Sequence, residues 1–443
     1  MLKKFSDESK QLNKSILSLA IPNIISNISV PLLSSVDTAV VGHLDQVSYL
    51  GAIALGSMIF NFIYWAFGFL RMGTTGLTAQ AHGRSDEQES FNVLLRALSV
   101  AFGGAIILIA FQEFIGYVSF YLINSNAEVE SLAREYFDIR IYAAPATLSI
   151  YVFHGWFLGK QNARIPMIIV ILINLLNIGF NLLFIYQFEM KSNGVALGTV
   201  CAQYIGLIIS ATFYFKSFHN KNMLIRLNRI FDIEAISMFF KINFDIFLRT
   251  LLLVFTFTYF TAESAVYGEN ILAANTILLQ LWMLLSYGID GFAFASESLV
   301  GKSVGESNNV FLKKVIRYSF YWGMGLSIIY SFIYLVFGHN ILSIYTDKLF
   351  LIELAGSFLV WTIIAPIINS VCYIWDGIYI GATQTKPMRN SMIVSTLFLF
   401  FPIYFLTNDL WGNHSLWMAM TIFMLSRGLL LTILSKKYIF AND

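Results

Sequence analysis

The sequence reads GWFLGKQNARIP over residues 155–166 and GIYIGATQTKP over residues 377–387. Each stretch places two glycines four residues apart, before a polar turn, a basic residue and a proline. The two stretches are separated by half the length of the 443-residue chain, and residues 51–83 align with residues 273–305 at the same offset. The longest polar connection, residues 216–235, falls between the two copies. This pattern predicts a parallel internal repeat of two membrane bundles, which is typical of secondary transporters.

The composition predicts a polytopic membrane protein. Apolar residues make up 57% of the chain and charged residues only 12%, whereas soluble proteins carry about 25% charged residues. The apolar residues fall in blocks that can cross a hydrocarbon core of about 30 Å as helices, and they lack the alternation of a transmembrane β-barrel. We predict an all-α membrane protein with twelve transmembrane helices in two lobes of six. They lie near residues 16–41, 51–79, 93–120, 131–157, 164–188, 194–215, 236–262, 271–301, 315–337, 350–381, 386–406 and 413–435.

The distribution of Lys and Arg predicts that both termini are cytoplasmic. Between the predicted helices, 20 of these residues lie on the side of the N-terminus and 3 lie on the opposite side, and positive residues collect on the cytoplasmic side. The basic start resembles a signal peptide, but its apolar run is too long and has no cleavage site, so we expect an uncleaved first span. The predicted domains are an N-lobe (1–215), a cytoplasmic linker (216–235) and a C-lobe (236–443).

Several classes of function are disfavoured. The net charge of +2 and the dispersed basic residues predict no nucleic-acid surface. Cys201 and Cys372 lie inside apolar runs and predict neither a disulfide framework nor a metal site. The sequence has no phosphate-binding loop for ATP. We therefore expect no enzymatic activity, no cofactor and no obligate protein partner; the expected partners are small organic substrates and the lipid bilayer.

Several motifs spread over both halves resemble those of the multidrug and toxic compound extrusion (MATE) family, specifically its DinF-type branch. The motifs are FGFLRMGTTG (67–76), GWFLGKQN (155–162), GVALGT (194–199), LAAN (272–275), DGFAFASE (290–297) and DGIYIGAT (376–383). The resemblance covers essentially the whole chain. It implies two six-helix lobes that form a V, and efflux of organic solutes against an inward flow of cations.

Asp37 is the sharpest candidate for a coupling residue. It follows an uncharged run over residues 15–36 on a helix that contains Pro22 and Pro31, and a charge at the bilayer centre costs about 2.5–3.5 kcal/mol. The alternative is an aspartate at the helix end, in the outer headgroups. The resemblance implies that Asp37 is the coupling acid of the first helix. It also implies that this helix can bend, for which Pro22 is the candidate hinge.

The fifth predicted helix carries Asn174, Asn177 and Asn181 on one face. These amides could also serve only to bond neighbouring helices. The resemblance implies that Asn177, Asn181 and Thr199 form a cation-coupling site beside Asp37. Some relatives carry a second carboxylate where this chain has Asn181. One carboxylate favours a proton as the coupling ion over sodium, which prefers a dense shell of charged oxygens, and sodium remains the alternative.

The predicted C-lobe contains Asp290, Glu297 and Asp376 within its spans, and they form a candidate second-lobe site. The resemblance implies a cation ligand at Asp376 and the acid of the eighth helix at Asp290. The alternative is that these acids form structural ion pairs with arginines across the bundle. Asp245 and Arg249 are four residues apart on one helix, and this spacing predicts that they pair with each other.

Together these features predict a secondary active multidrug antiporter in a bacterial inner membrane. Its expected substrates are amphiphilic, cationic organic compounds, which are exchanged for protons. One alternative is a flippase for lipid-linked precursors, which should line its cavity with basic residues. Few basic residues lie near or within the spans, namely Arg71, Arg140, Lys241, Arg249 and Arg427. A membrane-embedded transferase is a further alternative, but the metal-binding cluster that it would need is missing from the sequence.

Overall fold

A computed structural model describes the backbone of residues 2–41, 47–123, 126–218 and 223–440, and the side chains of these ranges except residues 2–7, 32–41 and 47. Within these ranges the secondary structure is helical, which confirms the predicted all-α class. The helices of the first half are α1 (Leu2–Val41), α2 (Val47–Ala66), α3 (Phe69–Gly83), α4 (Glu87–Ala110), α5 (Gln112–Leu122), α6 (Ala127–Arg140), α7 (Ala144–Gly159), α8 (Arg164–Tyr186), α9 (Ser192–Ser217) and α10 (Leu227–Ile230). The helices of the second half are α11 (Ile233–Val266), α12 (Glu269–Gly305), α13 (Asn309–Tyr345), α14 (Leu349–Gly381), α15 (Thr385–Val394), α16 (Phe401–Trp411) and α17 (Asn413–Tyr438).

The described residues contain ten helical stretches that are long and apolar enough to cross a membrane. The first and seventh of the twelve predicted spans fall within α1 and α11, so the helix count agrees with the sequence. Some spans consist of more than one helix. A 3₁₀ turn at Ile141–Ala143 joins α6 to α7, and Pro145 occupies the first turn of α7, where proline costs no hydrogen bond.

The chain divides into two compact units. One comprises Ile25–Phe239 and is called the N-unit here; the other, the C-unit, comprises Met1–Ile24 and Phe240–Asp443. The first part of α1 therefore packs with the second half of the chain, where Trp322 Nε1 donates to Asn13 Oδ1 over 2.8 Å. The predicted lobe boundaries at residues 215 and 236 stay a prediction.

The internal repeat recurs in the backbone contacts of each unit. A methyl group added at Gly155 of α7 would overlap the carbonyl oxygen of Arg71 in α3, and one added at Gly377 of α14 would overlap the carbonyl oxygen of Ala293 in α12. Arg71 and Ala293 are separated along the chain by the same distance as Gly155 and Gly377, and this separation is called the repeat offset here. The glycines permit the same close approach of two helix backbones in both units.

The turns that follow α3 and α12 repeat as well. Ser85 and Ser307, which are again one repeat offset apart, both have a positive φ, of 57° and 52°. In the next helix of each unit, a side-chain oxygen caps the first turn: Asp86 accepts from the backbone N–H of Glu89, and Asn308 accepts from that of Phe311. These caps satisfy backbone donors that a helix start leaves open. The two units therefore share local structure as well as helix order.

Candidate functional site

In the N-unit, the predicted amide stripe forms a buried hydrogen-bonded chain. Asn181 Nδ2 donates to Asn177 Oδ1 over 3.2 Å, and Asn177 Nδ2 donates to Thr199 Oγ1 over 3.0 Å. Thr199 Oγ1 donates in turn to the carbonyl oxygen of Val195 over 3.0 Å. Asn177 and Asn181 are both buried. The structure thus brings together three of the residues that the sequence predicted for the coupling site.

Small residues on α9 allow these hydrogen bonds between α8 and α9 to form. A methyl group at Gly198 would overlap Asn181 Oδ1, and one at Gly206 would overlap the side chain of Ile173. These glycines lie on one face of α9, eight residues apart, and they let α8 approach closely. The adjacent Thr199 then faces the amides of α8. The sequence contained Gly198 as part of the GVALGT motif, but it did not show which helix this glycine would contact.

The third amide of the stripe joins α8 to the part of α1 within the N-unit. Asn174 Nδ2 lies 3.2 Å from Ser29 Oγ and 3.4 Å from the Ser29 carbonyl oxygen, and it donates to them. Ser29 Oγ donates to the carbonyl oxygen of Ser26 over 2.7 Å. Sequence reasoning did not single out Ser29. Asp37 lies on the same helix, eight residues further on, and its side chain is outside the described residues.

In the C-unit, Asp376 forms a buried ionic cluster with two arginines. Arg427 Nη2 donates to Asp376 Oδ2 over 2.8 Å, and Arg249 Nη2 forms a short bond with the same oxygen. The three residues come from α14, α17 and α11, and each is less than a tenth exposed. The Arg427 guanidinium also lies 5.3 Å from the centre of the Phe423 ring. The structural ion pair that the sequence offered as an alternative for Asp376 is therefore present.

The predicted pair of Asp245 and Arg249 is wrong. Asp245 Oδ1 instead accepts from Arg389 Nη1 over 2.6 Å, and Asp245 Oδ2 accepts from Thr385 Oγ1 over 3.0 Å. The spacing of four residues puts both side chains on one face of α11. Different helices pack along that face, with α15 beside Asp245 and α14 beside Arg249, and each buried charge binds the partner that its neighbouring helix offers.

The other two predicted C-lobe acids lie on α12. Asp290 is half-buried. Glu297 is fully buried, two turns further along α12, and its carbonyl oxygen lies against Gly381. Among the described side chains, no three His, Cys, Asp or Glu residues are grouped so that they could hold a metal ion.

Comparison with known proteins decides the family. The MatE family model matches residues 22–183 and 246–406, one match in each half of the chain. The chain belongs to the MATE family. Members of this family are transporters, so the protein is a multi-pass membrane transporter and not an enzyme.

Individual MATE proteins agree along almost the whole chain. DNA damage-inducible protein F of Escherichia coli is 35% identical over 439 residues, which cover 96% of this chain and 92% of that protein. The multidrug export protein MepA of Staphylococcus aureus is 21% identical, with 91% of each chain covered. A solved structure of a MATE protein in the bent conformation has the same fold, with a TM-score of 0.87, 20% sequence identity, and coverage of 97% of this chain and 96% of that chain. These matches confirm the predicted resemblance to the DinF-type branch of the MATE family.

Proposed function

We propose that this transporter exports amphiphilic organic compounds, including cationic ones, across a bacterial inner membrane in exchange for protons. The buried chain of Asn181, Asn177 and Thr199, which Asn174 connects to the helix that bears Asp37, carries the proposal. Multidrug export by MepA, a relative of the same family, supports the substrate class. The excess of Lys and Arg on one side of the spans supports an orientation with both termini in the cytoplasm.

The contact between Asn174 and Ser29 supports a common level for Asp37 and the amides. The helices α1 and α8 contain the first and fifth predicted spans, so we expect them to cross the membrane in the same direction. From that contact, Asp37 is eight residues along α1, about 12 Å of helix, and Asn181 is seven residues along α8, about 10.5 Å. A carboxylate at Asp37 would then have neutral amides at its own depth, which can bond to it in either protonation state.

The hydrogen bonds among Asn181, Asn177 and Thr199 favour a proton over sodium as the coupling ion. The Asn177 oxygen already accepts from Asn181, and the Thr199 oxygen accepts from Asn177. A sodium ion would need several of these oxygens as ligands, and at each of them it would share the lone pairs with an N–H donor that is already bound. A proton needs only the one titratable oxygen of Asp37. This argument supports proton coupling at a single carboxylate.

The C-unit offers no comparable carboxylate at Asp376. Its Oδ2 atom already accepts from two guanidinium groups, and removal of either partner from a buried ion cluster is costly. A cation that approached Asp376 would meet the positive charges of both arginines. We therefore place coupling in the N-unit, at Asp37, and assign Asp376 a structural role.

The division of α1 between the two units supports the proposed hinge at Pro22. The helix passes from the C-unit to the N-unit after Ile24, two residues beyond Pro22. Proline has no N–H to donate to the preceding turn, so a helix bends most easily near it. Loss of charge at Asp37 would change the hydrogen bonds of the outer part of α1, and Pro22 would allow this part to change its direction.

Transport by purified protein in proteoliposomes tests the proposal. We expect Asp37→Asn to insert normally and to abolish uphill efflux under an imposed pH gradient. The matched control is Asp409→Asn, which removes an exposed carboxylate near the end of α16 and should transport at the wild-type rate. Uphill efflux by Asp37→Asn at the wild-type rate would show that coupling lies elsewhere. Efflux that responds to a sodium gradient at constant pH, and not to a proton gradient, would replace the proton by sodium.

A further inference from the structure

The described part of the connection before α11, residues 223–233, is hydrogen-bonded to α4 of the N-unit. Arg96 of α4 donates from Nε to the carbonyl oxygen of Ile230 over 2.9 Å, and from Nη2 to that of Arg229 over 3.1 Å. Gln88 both donates to the carbonyl oxygen of Leu224 and accepts from its N–H. Ile230 is buried. The segment over residues 223–233, called the linker strap here, therefore has a defined position and a defined outer surface.

That outer surface is strongly apolar. Five large apolar side chains of the linker strap are between 51% and 84% exposed; they are Leu224, Ile225, Leu227, Phe231 and Ile233. Single exposed apolar residues are ordinary, but five within ten residues form a patch that water solvates poorly. Because α9 ends at Ser217 and α11 begins at Ile233, and both contain predicted membrane spans, we expect this patch to lie where the chain leaves and re-enters the bilayer.

Cationic side chains accompany the apolar ones. Lys216, Arg226 and Arg229 are exposed, and in the part of the chain that the structure describes none of them forms an ion pair. The nearby carboxylate of Asp232 caps α11 by accepting from the N–H of Ala235 over 3.0 Å. Glu234 is the other exposed acid nearby. Exposed apolar groups interspersed with unpaired basic residues are typical of segments that lie in the membrane interface.

We propose that the linker strap is a docking surface for the bilayer, with its apolar side chains among the acyl chains and its basic residues bound to acidic phospholipid headgroups. Each Lys or Arg near an anionic membrane surface favours binding by about fivefold. The hydrogen bonds of Arg96 and Gln88 attach the linker strap, and with it the bilayer contact, to α4. The proposal needs only the membrane location of α9 and α11, so it stands or falls independently of proton coupling at Asp37.

Depth measurements in nanodiscs test the location. A spin label is attached at Ile225→Cys or, as the matched control, at Asn228→Cys, which is also exposed in the linker strap; both are made in a background with Cys201→Ser and Cys372→Ser. In nanodiscs with phosphatidylglycerol, we expect the label at residue 225 to be accessible to oxygen and shielded from a water-soluble nickel complex, and the label at residue 228 to show the reverse. Equal access of the nickel complex to both labels would overturn the proposal and would leave the patch for a soluble partner.

A charge variant tests headgroup recognition without labels. Native mass spectrometry counts the phosphatidylglycerol molecules that stay bound when the protein is released from nanodiscs of phosphatidylcholine and phosphatidylglycerol. We expect Arg226→Gln with Arg229→Gln to weaken this retention by about fivefold for each arginine. The control, Lys436→Gln with Lys437→Gln, removes two exposed basic residues at the end of α17, where no exposed apolar patch of the linker strap accompanies them, and it should lose less lipid than the linker-strap variant. Equal retention by both double variants would refute recognition of acidic headgroups by the linker strap.

Discussion

The two units repeat the same contacts between helix backbones, but they carry different polar side chains at equivalent positions. Gly155 packs against the backbone of α3 in the N-unit, and Gly377 packs against the equivalent backbone of α12 in the C-unit. In contrast, His154 stands in the N-unit where Asp376 stands in the C-unit, one repeat offset later. The comparison shows that contacts between helix backbones fix the architecture, whereas the polar side chains can change without loss of the fold.

The hydroxyls of Thr199 and Thr421 show the same contrast in detail. They occupy equivalent positions of the repeat, and each donates to the carbonyl oxygen four residues earlier, Val195 or Trp417. Only Thr199 also accepts from an amide, because the position equivalent to Asn177 is Leu399. The N-unit therefore has a neutral chain of hydrogen bonds where the C-unit is apolar. The C-unit has a charged cluster that the N-unit does not repeat at His154.

The largest expected effect comes from breaking the charged cluster. Asp376→Asn leaves two buried guanidinium groups without their carboxylate, and we expect the free energy of unfolding to fall by about 3–5 kcal/mol. The control is His154→Asn at the equivalent position, for which we expect a loss of about 1 kcal/mol or less. Denaturation of the two purified variants in detergent measures the difference. Similar losses would mean that the arginines do not depend on Asp376.

The shared glycine contacts should have equal importance in the two units. We expect Gly155→Ala and Gly377→Ala each to destabilise the protein by about 1–3 kcal/mol, because the added methyl group would force two helices apart. Gly103→Ala and Gly325→Ala form a matched control pair, since they are also equivalent in the repeat and have open space around the added methyl group. They should gain about 0.5–1 kcal/mol. A loss at only one of Gly155 and Gly377 would contradict the equivalence of the units.

A second carboxylate among the hydrogen-bonded amides of the N-unit should shift the preference between sodium and protons. We expect Asn181→Asp to raise the ratio of sodium-driven to proton-driven efflux by about tenfold, equivalent to about 1.4 kcal/mol in cation affinity. Asn174→Asp adds the same charge to the same face of α8 beside Ser29, and it serves as the control. Efflux from proteoliposomes under separate sodium and pH gradients gives both ratios. An unchanged ratio in Asn181→Asp would remove the basis for preferring a proton.

The smallest expected effect concerns the helix that both units share. Pro22→Ala restores a backbone donor near the division of α1, and we expect turnover to slow by about threefold while the affinity for substrate stays the same. Pro31→Ala makes the same change within the N-unit part of α1 and should leave turnover closer to that of the wild type. Binding and transport are measured on the same preparation of each variant. Normal turnover by Pro22→Ala would rule out the hinge.

The sequence by itself determined the helical class, the number of spans, the internal repeat and the common face of Asn174, Asn177 and Asn181. These features depend on hydropathy and on the 3.6-residue period of a helix, which are local properties of the chain. The repeat was readable because the same glycines recur where helix backbones must meet. The side chain of Asp37, the central residue of the predicted coupling site, lies outside the described residues, so its role stays a prediction.

Only the tertiary structure decided which charged groups bind each other. Asp245 and Arg249 share a helical face, yet their partners are Arg389 and Asp376, which lie more than a hundred residues further along the chain. A helical period shows which side chains point the same way, but it does not show which helix will lie opposite each of them. Buried charges bind the group that neighbouring helices bring within reach, because the cost of leaving them unpaired in an apolar interior exceeds any local preference.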